Sequence, residues 1–270
     1  MGRKVDEVER NIKRYLLISR VGVKSLHDEW VFSSDFRNFD VFLSAYDERV
    51  QPVSAQGIYY ELRRGPKVEG YNGIINDNSD LLSRYEYICF FDEDLLADVG
   101  TLNQMFSISE KLNLKISQPS LTWSSYFTYA ALLRQPGSQL RYINYIEMMC
   151  PVFRRDVLVQ VAPLYAMGAE SGIDLIWCNL AFESERDFAV LDSVSVTHTE
   201  PVGGRKVENG FVAGKTYEDD IFRVLSAFNI PWISCVPYCL VTRSGRQVTS
   251  RFWKLLFALS LFFAVPFKPG

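Results

Sequence analysis

"YEYICFFDEDLL", Tyr85 to Leu96, runs a string of apolar and aromatic residues straight into three consecutive acids, Asp92, Glu93 and Asp94. A short apolar run of this kind reads as a buried strand. In open α/β sheets, ligands bind outside the carboxyl ends of the strands. Side chains alternate along an extended chain, so Asp92 and Asp94 can face one crevice. Two carboxylates aimed at one spot repel unless a cation lies between them. Hard oxygen ligands favour Mg²⁺ or Mn²⁺, and such an ion, held by few protein groups, takes substrate phosphates as its remaining ligands. The alternative is a solvated acidic loop that caps the next helix.

The flanking sequence supplies the rest of an α/β sheet. "RYLLISRVG" from Arg14 and "FDVFLSAYD", Phe39 to Asp47, read as buried strands on the amino-terminal side. "GPKVEGYNGIINDN" opens on a Gly-Pro breaker and reads as a helix. Past the acids, "ADVGTLNQMFSISEKLNL" places Leu102, Met105 and Phe106 on one helical face, and "KISQPSL" is a short strand. "NYIEMMCPVFRR" reads as a strand running into a basic pair. "DVLVQVAPLYAMGAESGIDLIWCNLAF" reads as two helices around a glycine-bearing turn, "FAVLDSVSVTHTEPVGG" as a strand ending near His198, and "YEDDIFRVLSAFNI" as a late helix. Strands alternating with helices predict an α/β fold, and near-continuous apolar strands predict helices on both faces.

Bulk properties narrow the class. The chain has 270 residues, 48% of them hydrophobic and 14% aromatic, enough for one large core. Its formal charge of −3 gives no basis for nucleic-acid binding. Five cysteines, an odd number and mostly in apolar runs, predict reduced core thiols in a cytoplasmic protein. Cys235 and Cys239 lack a matching pair for a zinc site. The charged start, "MGRKVDEVERNIKR", lacks the apolar stretch of a secretory signal. The end, "RFWKLLFALSLFFAVPFKP", is apolar but short for a membrane span, which needs about 20 residues. It predicts an apolar helical tail, 246–270, following a domain of residues 1–245. The tail either docks on protein or makes peripheral contact with a membrane, its lysines Lys254 and Lys268 at the headgroups.

Two other metal–phosphate folds fit poorly. A haloacid-dehalogenase-type phosphatase also sets Asp-X-Asp after a strand, but it wants Thr or Val where Leu96 stands. A P-loop is absent. The pattern instead resembles a GT-A glycosyltransferase, with its DXD metal motif after a central strand. "SRVGVKSLHDEW", "GPKVEGY", "FFDEDL", "SQPSLTWSSYF", "QLRYINYIEMMCPVFRRDVL", "SGIDLIW" and "VTHTEPVGG" together resemble the domain-of-unknown-function 707 family, which is read as GT-A-like transferases. The resemblance covers roughly Arg14 to Gly204.

That resemblance implies roles. Asp92 and Asp94 match the DXD acids, Asp94 as the direct metal ligand and Asp92 nearer the ribose or donor sugar. His198 matches the late histidine that completes the shell of Mn²⁺ or Mg²⁺. Lys67 matches the basic residue that meets the donor diphosphate. Ser19, Arg20 and Gly22 match the first nucleotide-binding loop, and Asp47 a contact to the base or ribose. Asp174 matches the second acid of a helix-start pair, the catalytic base, which implies inversion. The first acid of that pair is missing: Ile173 stands there, with Glu170 four residues before Asp174. The implied activity is transfer from a nucleotide-sugar donor to a glycan or lipid-linked acceptor, as in polysaccharide biosynthesis. A non-catalytic nucleotide- or glycan-binding module and a metal-dependent phosphohydrolase are the other readings. His27 is read as holding its loop by hydrogen bonds, and Arg141 as either binding an anion or pairing internally.

Overall fold

The computed structural model describes residues 13–31, 36–202, 216–231, 235, 237–252, 255, 256 and 259. Gly203, Gly204, Lys254, Lys268 and most of the 246–270 tail lie outside the described residues.

The amino-terminal half alternates strand and helix. β1 (Tyr15–Val21) is buried at every position and leads through the short α1 (Asp28–Val31) to β2 (Phe39–Ala45), equally buried. β3 (Ile58–Leu62) follows, then α2 (Lys67–Asp77) and the single-turn α3 (Ser79–Leu82). β4 (Tyr87–Phe90) is the strand of the opening stretch, and β5 (Leu95–Leu96) comes just past the acids. α4 (Val99–Lys111) starts where Asp98 accepts the Thr101 N–H at 2.6 Å, a side-chain cap for an otherwise unpaired donor. Leu102, Met105 and Phe106 are all buried, as their spacing predicts.

The second half adds β6 (Ile116–Leu121), β7 (Ser138–Ile143), β8 (Val152–Arg154), α5 (Arg155–Tyr165), α6 (Asp174–Leu180), β9 (Phe188–His198), α7 (Tyr217–Phe228), β10 (Pro237–Thr242) and β11 (Gln247–Val248). Among the described residues eleven strands form one mixed sheet, in the order β11-β10-β7-β9-β6-β8-β4-β1-β2-β3, with β5 paired to β9. β1, β2, β3 and β4 run parallel. β8 lies antiparallel between β4 and β6. α2 and α5 pack on each other and on β1 and β4, while α4 packs on β6, β8 and β9. This is the mixed α/β sheet flanked by helices that the alternation of strands and helices predicts.

Two expectations shift. Only Val152–Arg154 of "NYIEMMCPVFRR" is strand, because residues 144–151 form an irregular loop whose backbone serves other elements. The sheet also reaches into the 246–270 segment, since β11 is its edge strand. Beyond it, Phe252, Leu255, Leu256 and Leu259 are exposed. No helix among the described residues is long and apolar enough to cross a membrane. The five cysteines are free, three buried and two half-buried.

β1 and β4 are the parallel neighbours at which strand order reverses: β2 and β3 lie beyond β1, and β8 lies beyond β4. Their carboxyl ends form the switch-point crevice of an open sheet.

Candidate functional site

A cavity of about 560 Å³ opens at that crevice. Its lining includes Lys67, Asp92, Asp94, Asp174 and His198, drawn from four separate segments of the chain. The sheet explains why they meet. After β4 the chain turns, and β5 pairs antiparallel with the far end of β9, Leu95 opposite His198. Thr199 then donates from both its N–H and its hydroxyl to the Asp94 carbonyl, at 3.1 and 2.8 Å. This strand pairing therefore lays the late histidine beside the acids, 104 residues from Asp94 in sequence.

His198 Nε2 sits 3.3 Å from Asp94 Oδ2. Its Nδ1 lies 3.0 Å from the Tyr126 carbonyl oxygen, which fixes the ring. Burial would lower the His198 pKa, but hydrogen bonding and charge from Asp94 outweigh it and raise it. The converse holds for Asp94: burial alone would raise its pKa, and His198 and then Lys67 bring it below the ordinary value. Lys67 Nζ donates to Asp92 Oδ2 at 2.6 Å and to the Met148 carbonyl at 3.3 Å. Burial pushes the Asp92 pKa up to about 6; Lys67 opposes that rise and the Asp94 charge adds to it.

Glu93, the middle acid, has a different task. It is buried and accepts hydrogen bonds from the Gly22 N–H at 2.6 Å and from the Tyr46 hydroxyl. Its carbonyl accepts the Leu26 N–H at 2.8 Å. One acid of the three thus ties the acidic turn to the ends of β1 and β2.

The helix carrying Lys67 is held from a distance. Pro66 is its N-cap residue and offers no side-chain bond. The Glu170 carboxylate takes over, accepting from the N–H groups of Val68 and Glu69 at 3.0 and 3.3 Å. A carboxylate there satisfies unpaired donors and suits the helix dipole. Gly70 lets that helix close on β1: a Cβ would stand 2.4 Å from the Arg20 guanidinium.

The remaining predicted residues divide. Arg20 lines the cavity, yet its guanidinium donates to Ser44 Oγ and to the carbonyls of Arg63 and Gly65, at 3.0, 2.7 and 2.7 Å, bracing the turn before Lys67. The Gly22 N–H is engaged by Glu93. Ser19 is fully buried in the sheet and does not line the cavity. Asp47 is also outside the lining; Arg49 grips its carboxylate at 2.6–3.1 Å and lowers its pKa to about 2. Its neighbour Tyr46 lines the cavity instead. Asp174 starts α6 and is buried, its Oδ2 accepting from the Tyr145 hydroxyl at 2.7 Å and the Met148 N–H at 3.3 Å. Burial raises its pKa, and these two bonds only partly offset that. His27 lies near Ser25 Oγ, 2.9 Å from its Nδ1. Arg141 pairs internally, with Asp192.

Sequence reading missed Tyr46, Tyr145 and Glu147 of the lining. For Glu147 a signal was present: a single acid inside the apolar run "YIEMMC" has to be buried with its charge or neutralised.

The residues fit a divalent cation in one respect. Among the described residues Asp94 Oδ1 is buried without a hydrogen-bond partner, beside an imidazole nitrogen, and an oxygen–nitrogen donor pair suits Mn²⁺. Among the described residues no three His, Cys, Asp or Glu side chains are grouped to hold a metal by themselves.

Among solved structures, the chain is similar to a crystal structure of S. aureus TarS 1–349 in complex with UDP-GlcNAc. The TM-score is 0.50 at 13% identity, over 82% of this chain and 68% of that one. A second TarS 1–349 crystal structure gives 0.49 at 12%, over 80% and 72%. At this identity the likeness with the complex is one of fold. No family model and no curated protein matches the chain. The resemblance to the 707 family rests on the quoted motifs.

Proposed function

We propose that this chain is a nucleotide-sugar-dependent glycosyltransferase of the 707 family type, acting on a hydroxyl acceptor such as a glycan or lipid-linked saccharide. The observation that carries the reading is the convergence of Lys67, Asp92, Asp94 and His198 in one cavity at the β1/β4 switch point. The similar fold of TarS 1–349 holds UDP-GlcNAc, which favours the same ligand class here.

In this reading Asp94 and His198 hold Mn²⁺ or Mg²⁺, and Asp92 with Lys67 sits beside the donor. When bound, the cation neutralises charge on the departing nucleoside diphosphate. Lys67 exchanges its Asp92 partner for, or shares it with, a phosphate oxygen, a charge-assisted bond. The acceptor oxygen attacks the anomeric carbon, the bond to the diphosphate breaks, and a carboxylate at the Asp174 end of the cavity takes the hydroxyl proton. A single displacement of this kind inverts configuration.

Calorimetric titration with UDP, GDP, CDP and ADP, with and without Mn²⁺, tests the reading. Mn²⁺-dependent binding of one nucleotide, weakened at least tenfold in Asp94→Ala, is expected. No binding of any of them with Mn²⁺ present overturns it. Binding without release of nucleoside diphosphate from the matching sugar donor favours a non-catalytic binding module.

A further inference from the structure

Besides Asp92 and Asp94, the cavity lining carries Glu93, already bonded to Gly22 and Tyr46, the more exposed Glu200 and Glu218, and three further carboxylates, Glu147, Glu170 and Asp174. Two are committed to the scaffold. Glu170 caps α2 through two backbone N–H groups. Asp174 is held by the Tyr145 hydroxyl and the Met148 N–H. A carboxylate held by two donors is a weaker proton acceptor than a free one.

Glu147 differs in its hydrogen bonding and, like Asp174, is buried. Its backbone is pinned, the N–H donating to the buried Gln118 Oε1 at 2.7 Å, so the side chain leaves a fixed point. The residue is only 7% exposed although it lines the cavity. Among the described residues its Oε2 has no hydrogen-bond partner. A buried polar atom left without a partner costs about 1–3 kcal/mol, so its persistence calls for a functional account.

We propose that Glu147 is the catalytic residue that takes the acceptor's proton, with Asp174 as a positioning residue that holds the 144–151 loop through Met148. The inference rests on the transferase reading above. The acceptor oxygen forms its bond to the anomeric carbon, the carbon–diphosphate bond breaks with its electron pair leaving on the nucleotide, and the hydroxyl proton passes to Glu147. The acid missing at Ile173 is thereby supplied from a different element, the loop before β8. Burial, then the Asp174 charge, push the Glu147 pKa up to about 7, where a general base is most effective near neutral pH. Asp174, His198, Lys67, Tyr129, Tyr145, Cys150 and Cys235 are the titratable groups coupled to it.

The test follows nucleoside diphosphate release from UDP-GlcNAc, UDP-glucose and GDP-mannose with Mn²⁺, with water and methyl glycosides as acceptors. It compares the full-length wild type, Glu147→Gln and Asp174→Asn. Glu147→Gln is expected to lower kcat at least 100-fold while nucleoside diphosphate affinity stays within about twofold, as loss of a general base predicts. Wild-type kcat should rise with pH through about 7. That rise should vanish in Glu147→Gln and persist, at reduced amplitude, in Asp174→Asn. Glu147→Gln retaining more than a third of kcat, or keeping the pH rise, overturns the assignment. If Glu147→Gln does not fold, Glu147→Asp decides: a tenfold lower kcat with the pH rise intact supports the role, and wild-type kcat overturns it. A wild type that binds no nucleoside diphosphate in the calorimeter, or binds one and releases none, removes the transferase reading and this inference together. Turnover retained without Glu147 removes the inference alone.

Discussion

Asp192 and Asp92 each meet one cation, and the two pairs behave as opposites. Arg141 and Asp192 are sealed between β7 and β9, both with no exposed side-chain surface. Arg141 Nε and Nη2 reach Asp192 at 2.8 and 2.9 Å, and the same guanidinium donates to the Ala131 and Leu133 carbonyls. Asp192 also accepts the Gln135 N–H at 3.0 Å. Lys67 and Asp92 are a quarter exposed and meet through one point contact at the mouth of a cavity. A planar fork with five fixed donors suits a permanent brace, while an ammonium on a flexible stem can change partners. The difference separates a pair that builds the sheet from a pair on the cavity wall, to which the proposed function gives a ligand.

The largest effect should come from breaking the sealed pair. Arg141→Ala leaves Asp192 charged, buried and partly unpaired, and removing one partner of a buried pair costs about 3–5 kcal/mol. Urea unfolding should show that loss as a lower midpoint with an unchanged slope. A loss under 1 kcal/mol would erase the contrast between the two pairs.

Glu147 sharpens the comparison from the other side, as a buried acid with no cation bonded to it. Its folded pKa of about 7 lies above the ordinary 4.5, so the folded chain binds its proton more tightly than the unfolded chain. The stabilisation is complete below pH 4.5 and declines as pH rises through about 7, by roughly 3 kcal/mol in all. Asp92 contributes a slope of the same sign up to about pH 6, so the difference between wild type and Glu147→Gln isolates Glu147. The variant should lose less stability between pH 4.5 and 7.5; parallel pH curves would contradict the assignment.

The contrast also marks where the sequence was legible. Strands and helices with a clear period, such as Tyr87–Phe90 and the Leu102, Met105, Phe106 face, were readable because burial itself writes the pattern. Type and position singled out Asp92, Asp94 and His198, which the structure brings to one cavity. Residues 144–151 were not, because their backbone is held by distant partners: Ile146 by the Trp177 indole, Met148 by Lys67 and Asp174, Met149 by the Asp92 N–H. Glu170 shows the same limit, since nothing in its place before Asp174 signals that it caps α2, about a hundred residues earlier. Asp47 fails for the opposite reason: a strand-end position was right, but a neighbouring arginine two residues on engages it.

Replacing Lys67 by Ala should separate binding from stability. Asp92 already titrates near pH 6, and losing its cation would let it protonate at little cost. Stability should change by less than about 1 kcal/mol. Nucleoside diphosphate affinity with Mn²⁺ should fall about 10- to 100-fold, the worth of one charged hydrogen bond. A large stability loss with unchanged affinity would place Lys67–Asp92 alongside Arg141–Asp192.

The smallest effect tests whether exposure, rather than hydrogen-bond geometry, sets the scale. Arg154 grips Asp156 with two bonds, 2.6 and 2.7 Å, a fork as good as that of Arg141. Here the Arg154 side chain is 25% exposed and Asp156 63%. Water and salt screen such a pair, and Asp156 keeps a favourable place in the first turn of α5 whether or not Arg154 is present. Arg154→Ala should therefore cost no more than about 1 kcal/mol, measured by urea midpoint at low salt, with less still at 0.5 M NaCl. A loss approaching that of Arg141→Ala would mean that bidentate geometry alone, without burial, makes a brace, and the distinction between the two aspartate pairs would then need a cause other than solvent.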